Sequence, residues 1–137
     1  MTDHNRHSKP RLLLIHPAAD KDRLGLRRRT RSSVPQLNLP LLAAHADDRF
    51  DVRIIDENVE DIDFNTVADL VGISIMTPTA MRGYEIADTF RRKGISVAIG
   101  GIHAFFMPEE AAPHAAALVI GEAEYSWNSL LDHFLSG

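Results

Sequence analysis

Several residues suited to holding a ligand follow directly after short apolar runs of the chain. His16 ends the first run, Gly100 and Gly101 end a later one, and hydroxyl side chains are concentrated in residues 74–79. Hydroxyls can bond to ligand amides or phosphates, and glycines let a ligand approach the backbone closely. Because these positions hold no nucleophile elbow and no H-E-x-x-H pair, they predict a binding site rather than a catalytic or zinc site.

The candidate ligand-binding residues all lie at the ends of apolar runs. They are His16, Ser74, Met76, Thr77, Pro78, Thr79, Gly100, Gly101, His103, Gly121, Glu122, Ala123 and Glu124. Each also has a structural explanation that needs no ligand. Thr79 can cap a helix, the paired glycines can form a tight bend, the two glutamates suit a helix start, and either histidine can bond a loop carbonyl.

The apolar runs predict the elements that position these residues. Five runs read as strands, at 11–17, 51–56, 70–76, 95–100 and 117–121. Helical spacing of apolar residues predicts helices over 37–44, 80–90 and 127–134, a short helix at 108–112, and at most one or two turns within 58–69.

Strands that alternate with helices predict a parallel sheet with helices on both faces. Right-handed crossovers then favour a flavodoxin-like (Rossmann-like) fold with strand order 2-1-3-4-5, in which the candidate residues meet at the carboxyl edge. We expect one domain over residues 11–137, preceded by a disordered start at 1–10. The Arg-rich interval 18–36 reads either as a solvated loop or as a lid or docking surface.

Composition excludes several function classes. The net charge is -4, which argues against nucleic acid as a partner, and no apolar run is long enough to span a membrane. The chain has no cysteine, so these residues cannot ligate an iron–sulfur cluster through thiolates. A cytoplasmic location is the default expectation.

The first strand is followed by His16-Pro17 and no glycine, which excludes a dinucleotide fingerprint, a P-loop and the acidic pair of a receiver domain.

Four short motifs in order resemble the N-terminal cobalamin (B12)-binding domain of B12-dependent radical SAM enzymes. They lie at 69–80, 97–103, 108–110 and 119–125, and the opening of that domain is matched by 35–44 and 55–59. The resemblance implies that the nucleotide tail of a cobalamin inserts beside the sheet. Gly100, Gly101, His103 and residues 121–124 would flank the tail, with 74–79 nearest the corrin ring. Ala123 departs from the family, which often has glycine there.

The resemblance also implies how the cobalt is held and what else the chemistry requires. Residues 16–20 do not reproduce the D-x-H-x-x-G signature, so we expect a base-off cobalamin with no histidine ligand from that loop. The iron–sulfur cluster and S-adenosylmethionine would belong to a radical SAM barrel that these 137 residues do not contain. The chain then reads as an excised or truncated domain, or a stand-alone carrier, whose partner is a radical SAM domain fused to it or supplied in trans.

Two other function classes remain open from the sequence. One is a cobalamin-free interaction or scaffold domain, which Phe105 and Phe106 filling the groove would support. The other is a domain that binds a nucleotide or a flavin at the same sheet edge. For the cobalamin hypothesis, Gly101→Trp is expected to block cofactor uptake and to leave the fold intact.

Overall fold

The computed structural model describes residues 8–19, 38–121 and 123–137 of the chain, and for residues 123 and 124 the backbone alone. The predicted disorder of the N-terminus therefore falls largely outside the described residues. So do most of the Arg-rich interval 18–36 and the candidate ligand residue Glu122.

Five parallel strands form one sheet in the order β2-β1-β3-β4-β5. The strands are β1 (Arg11–His16), β2 (Asp51–Asp56), β3 (Leu70–Ser74), β4 (Ser96–Gly100) and β5 (Ala117–Val119). The predicted flavodoxin-like fold and strand order are confirmed. Each strand lies inside its predicted apolar run.

The helices are α1 (Asn38–Ala46), α2 (Ala80–Arg92), α3 (Ile102–Phe106), α4 (Pro108–Ala111) and α5 (Ala123–Leu135). The predicted helices are confirmed, although α5 begins before the apolar stripe that predicted it. Helix α3 was not predicted from the sequence, and only turns connect β2 to β3. Within the described part of the chain, no helix combines the length and the hydropathy that crossing a bilayer demands.

Two apolar layers cover the two faces of the sheet. Side chains alternate between faces along each strand, so Leu13 and Ile15 pack on the α2 side while Leu12 and Leu14 pack beneath α1 and α5. The layer on the α2 side continues to the carboxyl ends of β3 and β4. On the α1/α5 side of β3, the large Leu70 is followed by Gly72 and Ser74. Their neighbours on β4 are the small residues Ala98 and Gly100, and these small residues form part of the site described below.

A buried ion pair fixes the loop that leaves β1. The Glu57 carboxylate, whose side chain is 7% exposed, accepts hydrogen bonds from Arg82 Nε at 2.9 Å and from the Ala18 backbone N–H at 2.9 Å. Arg82 lies on α2, so this carboxylate joins the β1 loop, the end of β2 and a helix. Burying a carboxylate is costly unless such partners are present.

Replacing Arg82 with methionine is expected to lower the free energy of unfolding by about 2 kcal/mol. The change leaves Glu57 buried without its cation, and the loss stays below that of a fully buried pair because the Arg82 side chain is 30% exposed. Urea unfolding measures the effect. Arg92→Met, at an exposed position of the same helix, serves as the control and should change stability by less than about 0.5 kcal/mol. Equal losses in the two variants would contradict the role of the ion pair.

Candidate functional site

A cavity of about 340 Å³ lies between the sheet and the two helices α1 and α5. This volume is within the range of about 300–1,000 Å³ that small-molecule sites occupy. Ile102 and Phe105 of α3 and Leu41 of α1 line it and are each about half exposed, so they form its rim. These residues lie near the carboxyl ends of the strands, so the cavity opens at the edge where ligands bind in such folds.

The floor of the cavity is formed by small residues on neighbouring strands. Gly72 of β3 lies beside Ala98 of β4, and one step further along Ser74 lies beside Gly100 and Gly100 beside Val119. A Cβ added at Gly72 would lie 2.8 Å from Leu14 Cδ2 and 3.4 Å from Trp127 Cη2. Trp127 of α5 therefore already lies over Gly72, and the cavity is the space left over the neighbouring small residues of the floor.

Trp127 and Leu42 connect the two helices that cover the cavity. The indole N–H of Trp127 donates a hydrogen bond of 3.0 Å to the Leu42 carbonyl, which joins α5 to α1. Trp127 is 1% exposed and packs with Leu12, Leu14 and Leu70. Its ring lines the cavity, and the ring carbons Cη2 and Cζ3 are the ring atoms that an added Cβ at Gly72 would meet.

The structure brings some of the sequence-predicted ligand residues together at this cavity. Ser74, Gly100, Gly101 and Gly121 line it. His16, residues 76–79 and His103 are not among the lining residues. Ala123 and Glu124 begin α5, and Glu122 lies outside the described residues.

Gly101 lines the cavity, but the expectation that Gly101→Trp leaves the fold intact is wrong. Its φ of +97° belongs to the region that side chains rarely adopt. An added Cβ would also overlap the Ile75 carbonyl oxygen and lie 2.8 Å from the Ile75 nitrogen. Any side chain here would disturb the backbone, so this position cannot separate binding from folding.

The loop after β3 is held by its own side chains. The Thr79 hydroxyl accepts a hydrogen bond of 3.0 Å from the Met76 N–H and donates one of 3.2 Å to the Met76 carbonyl. It thus closes a single 3-10 turn at 77–79, and it makes no side-chain cap on α2. Thr77 and Pro78 are exposed on this turn, so their role toward a ligand stays a prediction.

His103 cross-links the loops that follow β3 and β4. Its Nδ1 lies 3.1 Å from Thr77 Oγ1 and its Nε2 lies 2.8 Å from Glu110 Oε1. Tyr84 donates a further hydrogen bond of 2.8 Å to the same carboxylate oxygen. The bonds from His103 and Tyr84 lower the pKa of Glu110, which stays ionised and only accepts. The Nε2 of His103 therefore donates, and in the neutral ring Nδ1 accepts from Thr77. Both nitrogens are engaged, which favours a role in positioning Thr77.

His16 is 2% exposed at the end of β1, and within the described residues its Nδ1 has no hydrogen-bond partner. Burial lowers the pKa of His16 below its ordinary value of 6.5, although the Asp56 charge and a hydrogen bond with the Ser74 backbone oppose the shift. The ring is therefore neutral at physiological pH. Within the described residues, no cluster of three or more histidine, aspartate or glutamate side chains could hold a metal ion.

Acid is expected to destabilise the protein through His16. Below pH 6.5 the His16 ring takes up a proton in the unfolded chain but stays neutral in the folded chain. The free energy of unfolding therefore decreases as the pH is lowered, until the pH reaches the lower pKa of the folded state. The slope from this one group is at most about 1.4 kcal/mol per pH unit. Urea unfolding between pH 7.5 and 5.5 should show a shallower pH dependence in His16→Asn than in the unchanged chain. Parallel curves for the two proteins would contradict this prediction.

A family model described as "B12 binding domain" matches residues 24–131, which is well over half of the chain. This chain belongs to the B12-binding domain family. The resemblance noted from the four motifs is thereby confirmed for the cobalamin-binding domain. The open cavity beside the sheet is the feature of this B12-binding domain that a cofactor could enter.

Three methyltransferases are similar in sequence to this domain. The bacteriochlorophyllide d C-8(2)-methyltransferase of Chlorobaculum tepidum is 48% identical over 59% of this chain, and the C-12(1)-methyltransferase of the same organism is 36% identical over 69%. An uncharacterized methyltransferase of Pyrococcus horikoshii is 29% identical over 93% of this chain. The B12-binding domain spans 18% to 30% of the lengths of these relatives.

Sequence reasoning missed much of the cavity in this B12-binding domain. The missed lining residues come from the covering helices, the strand interiors and α3, namely Asn38, Leu39, Leu41, Leu42, Gly72, Ile73, Ala98, Ile102, Phe105, Val119 and Trp127. One signal was available. Gly72 and Ser74, like Ala98 and Gly100, occupy alternate positions of a buried strand, so each pair leaves the same face bare.

Proposed function

We propose that this chain binds cobalamin in the cavity between the sheet and helices α1 and α5, and presents the cofactor to a radical SAM domain fused to it or supplied in trans. The observation that carries the proposal is the open cavity of about 340 Å³ over a floor of small residues. A whole corrinoid is much larger than this volume. The cavity therefore suits the nucleotide tail, with the corrin ring outside at the carboxyl edge.

The residues present fit such a tail. The floor carries small or absent side chains at Ser74, Ala98 and Gly100, so a tail could lie close to the sheet there. The sequence-predicted ligand residues that line the cavity, Ser74, Gly100, Gly101 and Gly121, lie along or beside the path from the carboxyl edge inward. We expect the exposed turn 77–79, held by His103, to lie nearest the corrin ring.

We further propose a base-off cobalamin whose cobalt takes no histidine ligand from the loop after β1, where a D-x-H-x-x-G signature would lie. His16 ends a strand and is 2% exposed, and both ring nitrogens of His103 already have partners. When bound, a cobalamin supplies a cobalt centre able to carry a methyl group. The relatives share methyl transfer in their names, so we propose the same reaction class for the protein in which this domain works. The cluster and S-adenosylmethionine would be held by the radical SAM domain, and the cytoplasmic location remains a prediction.

The cobalamin-free scaffold hypothesis receives less support. Phe105 and Phe106 filling the groove would have supported it, but these side chains are 52% and 68% exposed. Phe105 borders the cavity at its rim instead of occupying it.

The single tryptophan of the chain gives a direct test of the proposal. Because Trp127 lines the cavity, hydroxocobalamin should quench its fluorescence saturably, with free N-acetyltryptophanamide as the control for light absorbed by the corrinoid. Flavin mononucleotide and ATP should neither quench it saturably nor compete. Saturable quenching by either of those ligands, without quenching by hydroxocobalamin, would show that the site binds a flavin or a nucleotide instead of cobalamin.

A further inference from the structure

The polar side chains that line the cavity are already bonded to each other. Asn38 Nδ2 donates a hydrogen bond of 2.7 Å to Ser74 Oγ, and Asn38 Oδ1 accepts one of 3.1 Å from the Leu39 N–H. Asn38 and Ser74 are the polar side chains of the lining; its other members are apolar residues, glycines and Trp127. After these bonds the Ser74 hydroxyl proton and the second N–H of the Asn38 amide remain as side-chain donors for a ligand.

Several other polar groups around the cavity are also engaged. The Trp127 N–H is bonded to the Leu42 carbonyl, so the indole offers no donor to a ligand. The floor strands pair with one another in register, and peptide groups in such a ladder point along the sheet rather than out of its face. The Gly100 carbonyl accepts the Ile75 N–H at 2.9 Å. A ligand base inside the cavity therefore meets mainly carbon.

This lining distinguishes between the lower bases that corrinoids carry. When joined to its ribose, 5,6-dimethylbenzimidazole has one free ring nitrogen, and its six-membered ring carries only carbon and two methyl groups. Adenine instead places further ring nitrogens and an amino group in the same region. Burying methyl groups against leucine and tryptophan is favourable, whereas buried polar atoms without partners are costly.

We propose that this cavity selects its corrinoid by the lower base, accepting benzimidazole and rejecting purine. The proposal rests on the proposed function, because it assumes that the nucleotide tail enters the cavity. The Ser74 hydroxyl can donate to the one free nitrogen of a benzimidazole, whereas the two side-chain donors of the lining cannot pair with every ring nitrogen and the amino group of an adenine. The apolar side chains of Leu39, Leu42 and Trp127 match its carbon ring.

The test compares three corrinoids that differ only in the tail. They are cobalamin, its analogue with adenine as the lower base, and cobinamide, which lacks the nucleotide. Excess cyanide occupies both axial positions of cobalt in all three. None of them then has to break a bond between its base and cobalt when it binds the protein. Equilibrium dialysis against the purified chain then measures each affinity directly.

The adenine analogue is expected to bind at least about tenfold more weakly than cobalamin, a difference of about 1.4 kcal/mol. Equal affinities, both well above that of cobinamide, would overturn the selectivity and leave the proposed function standing. If cobalamin binds no better than cobinamide, the tail does not use the cavity and the proposed function itself fails.

A variant that adds a polar partner tests the physical reason. Leu42→Gln places an amide in the lining, which can form a hydrogen bond with polar atoms of the purine that otherwise have no partner. The ratio of the affinity for cobalamin to the affinity for the adenine analogue should therefore fall at least about threefold. Leu135→Gln, an exposed position of α5 outside the lining, should leave the ratio unchanged. Because both affinities come from one variant, a loss of stability cancels in the ratio. An unchanged ratio in Leu42→Gln would contradict the proposal.

Discussion

Ala98→Leu is expected to weaken cobalamin binding at least about a hundredfold, or about 2.7 kcal/mol, without loss of stability. Ala98 lies on the central floor of the cavity, beside Gly72, and is buried. A leucine there extends three carbons into the space that the tail would occupy. Since it fills open volume with apolar atoms, the melting temperature should stay the same or rise. Quenching of Trp127 measures the binding, and thermal unfolding measures the stability.

Ala44→Leu is the matched control for that variant. Ala44 is exposed on α1, one of the two helices that cover the cavity, and it is not part of the lining. The same substitution should therefore leave the affinity for cobalamin within about twofold, a free-energy change of about 0.4 kcal/mol. Full affinity in a folded Ala98→Leu protein would show that the ligand does not enter this cavity.

Gly101→Ala is expected to lower the free energy of unfolding by about 3 kcal/mol or more. The backbone at Gly101 has φ +97° and ψ 174°, a combination essentially limited to glycine. The added Cβ would also overlap the Ile75 carbonyl and lie 3.0 Å from Ser74 Oγ. Relief would require moving the start of α3 away from β3, where the His103 N–H now donates to that carbonyl at 3.3 Å.

Gly94→Ala is the comparison for that loss. Gly94 follows α2 with φ +81°, but an added Cβ there would have no atom within 4 Å. Its cost should come from the backbone preference of alanine alone and be about 1 kcal/mol. Urea unfolding of both variants should show the larger loss at Gly101, which adds a glycine-only φ/ψ pair and the overlap with Ile75. Equal losses at Gly94 and Gly101 would mean that the close approach of Gly101 to Ile75 has no energetic weight.

The fold could be predicted from the sequence because its strands are short, continuous apolar runs. Such runs are typical of strands buried on both faces, and right-handed crossovers leave few ways to order five of them. Helix α3 could not be predicted in this way. Its five residues follow two glycines and have no clear amphipathic period, and its start depends on the Gly101 backbone being held against Ile75.

The site could be predicted only at its edge. Because parallel strands end together, residues such as Ser74 and Gly100 were expected at the carboxyl edge, and the structure places both in the cavity lining. The body of the cavity depends on which sheet face the helices leave uncovered. That is set by tertiary packing, for instance by Trp127 bonding to Leu42 across α5 and α1, which are distant in sequence.

His103 shows a second limit of sequence reasoning. Its position after the paired glycines suggested a ligand contact, but its partner Glu110 lies on α4. The two residues lie in separate motifs, and the path of the chain between them brings their side chains within 2.8 Å. A spacing of seven residues across an unpredicted helix carries no such information.

The most direct test of the central claim is gel filtration of the purified chain after incubation with hydroxocobalamin. We expect the corrinoid to elute with the protein and to show the visible spectrum of a base-off cobalamin, because the tail would occupy the cavity instead of the cobalt. A colourless protein peak, from a chain shown by circular dichroism to be folded, would contradict the account. The cobalamin-free interaction domain would then become the better explanation of this fold.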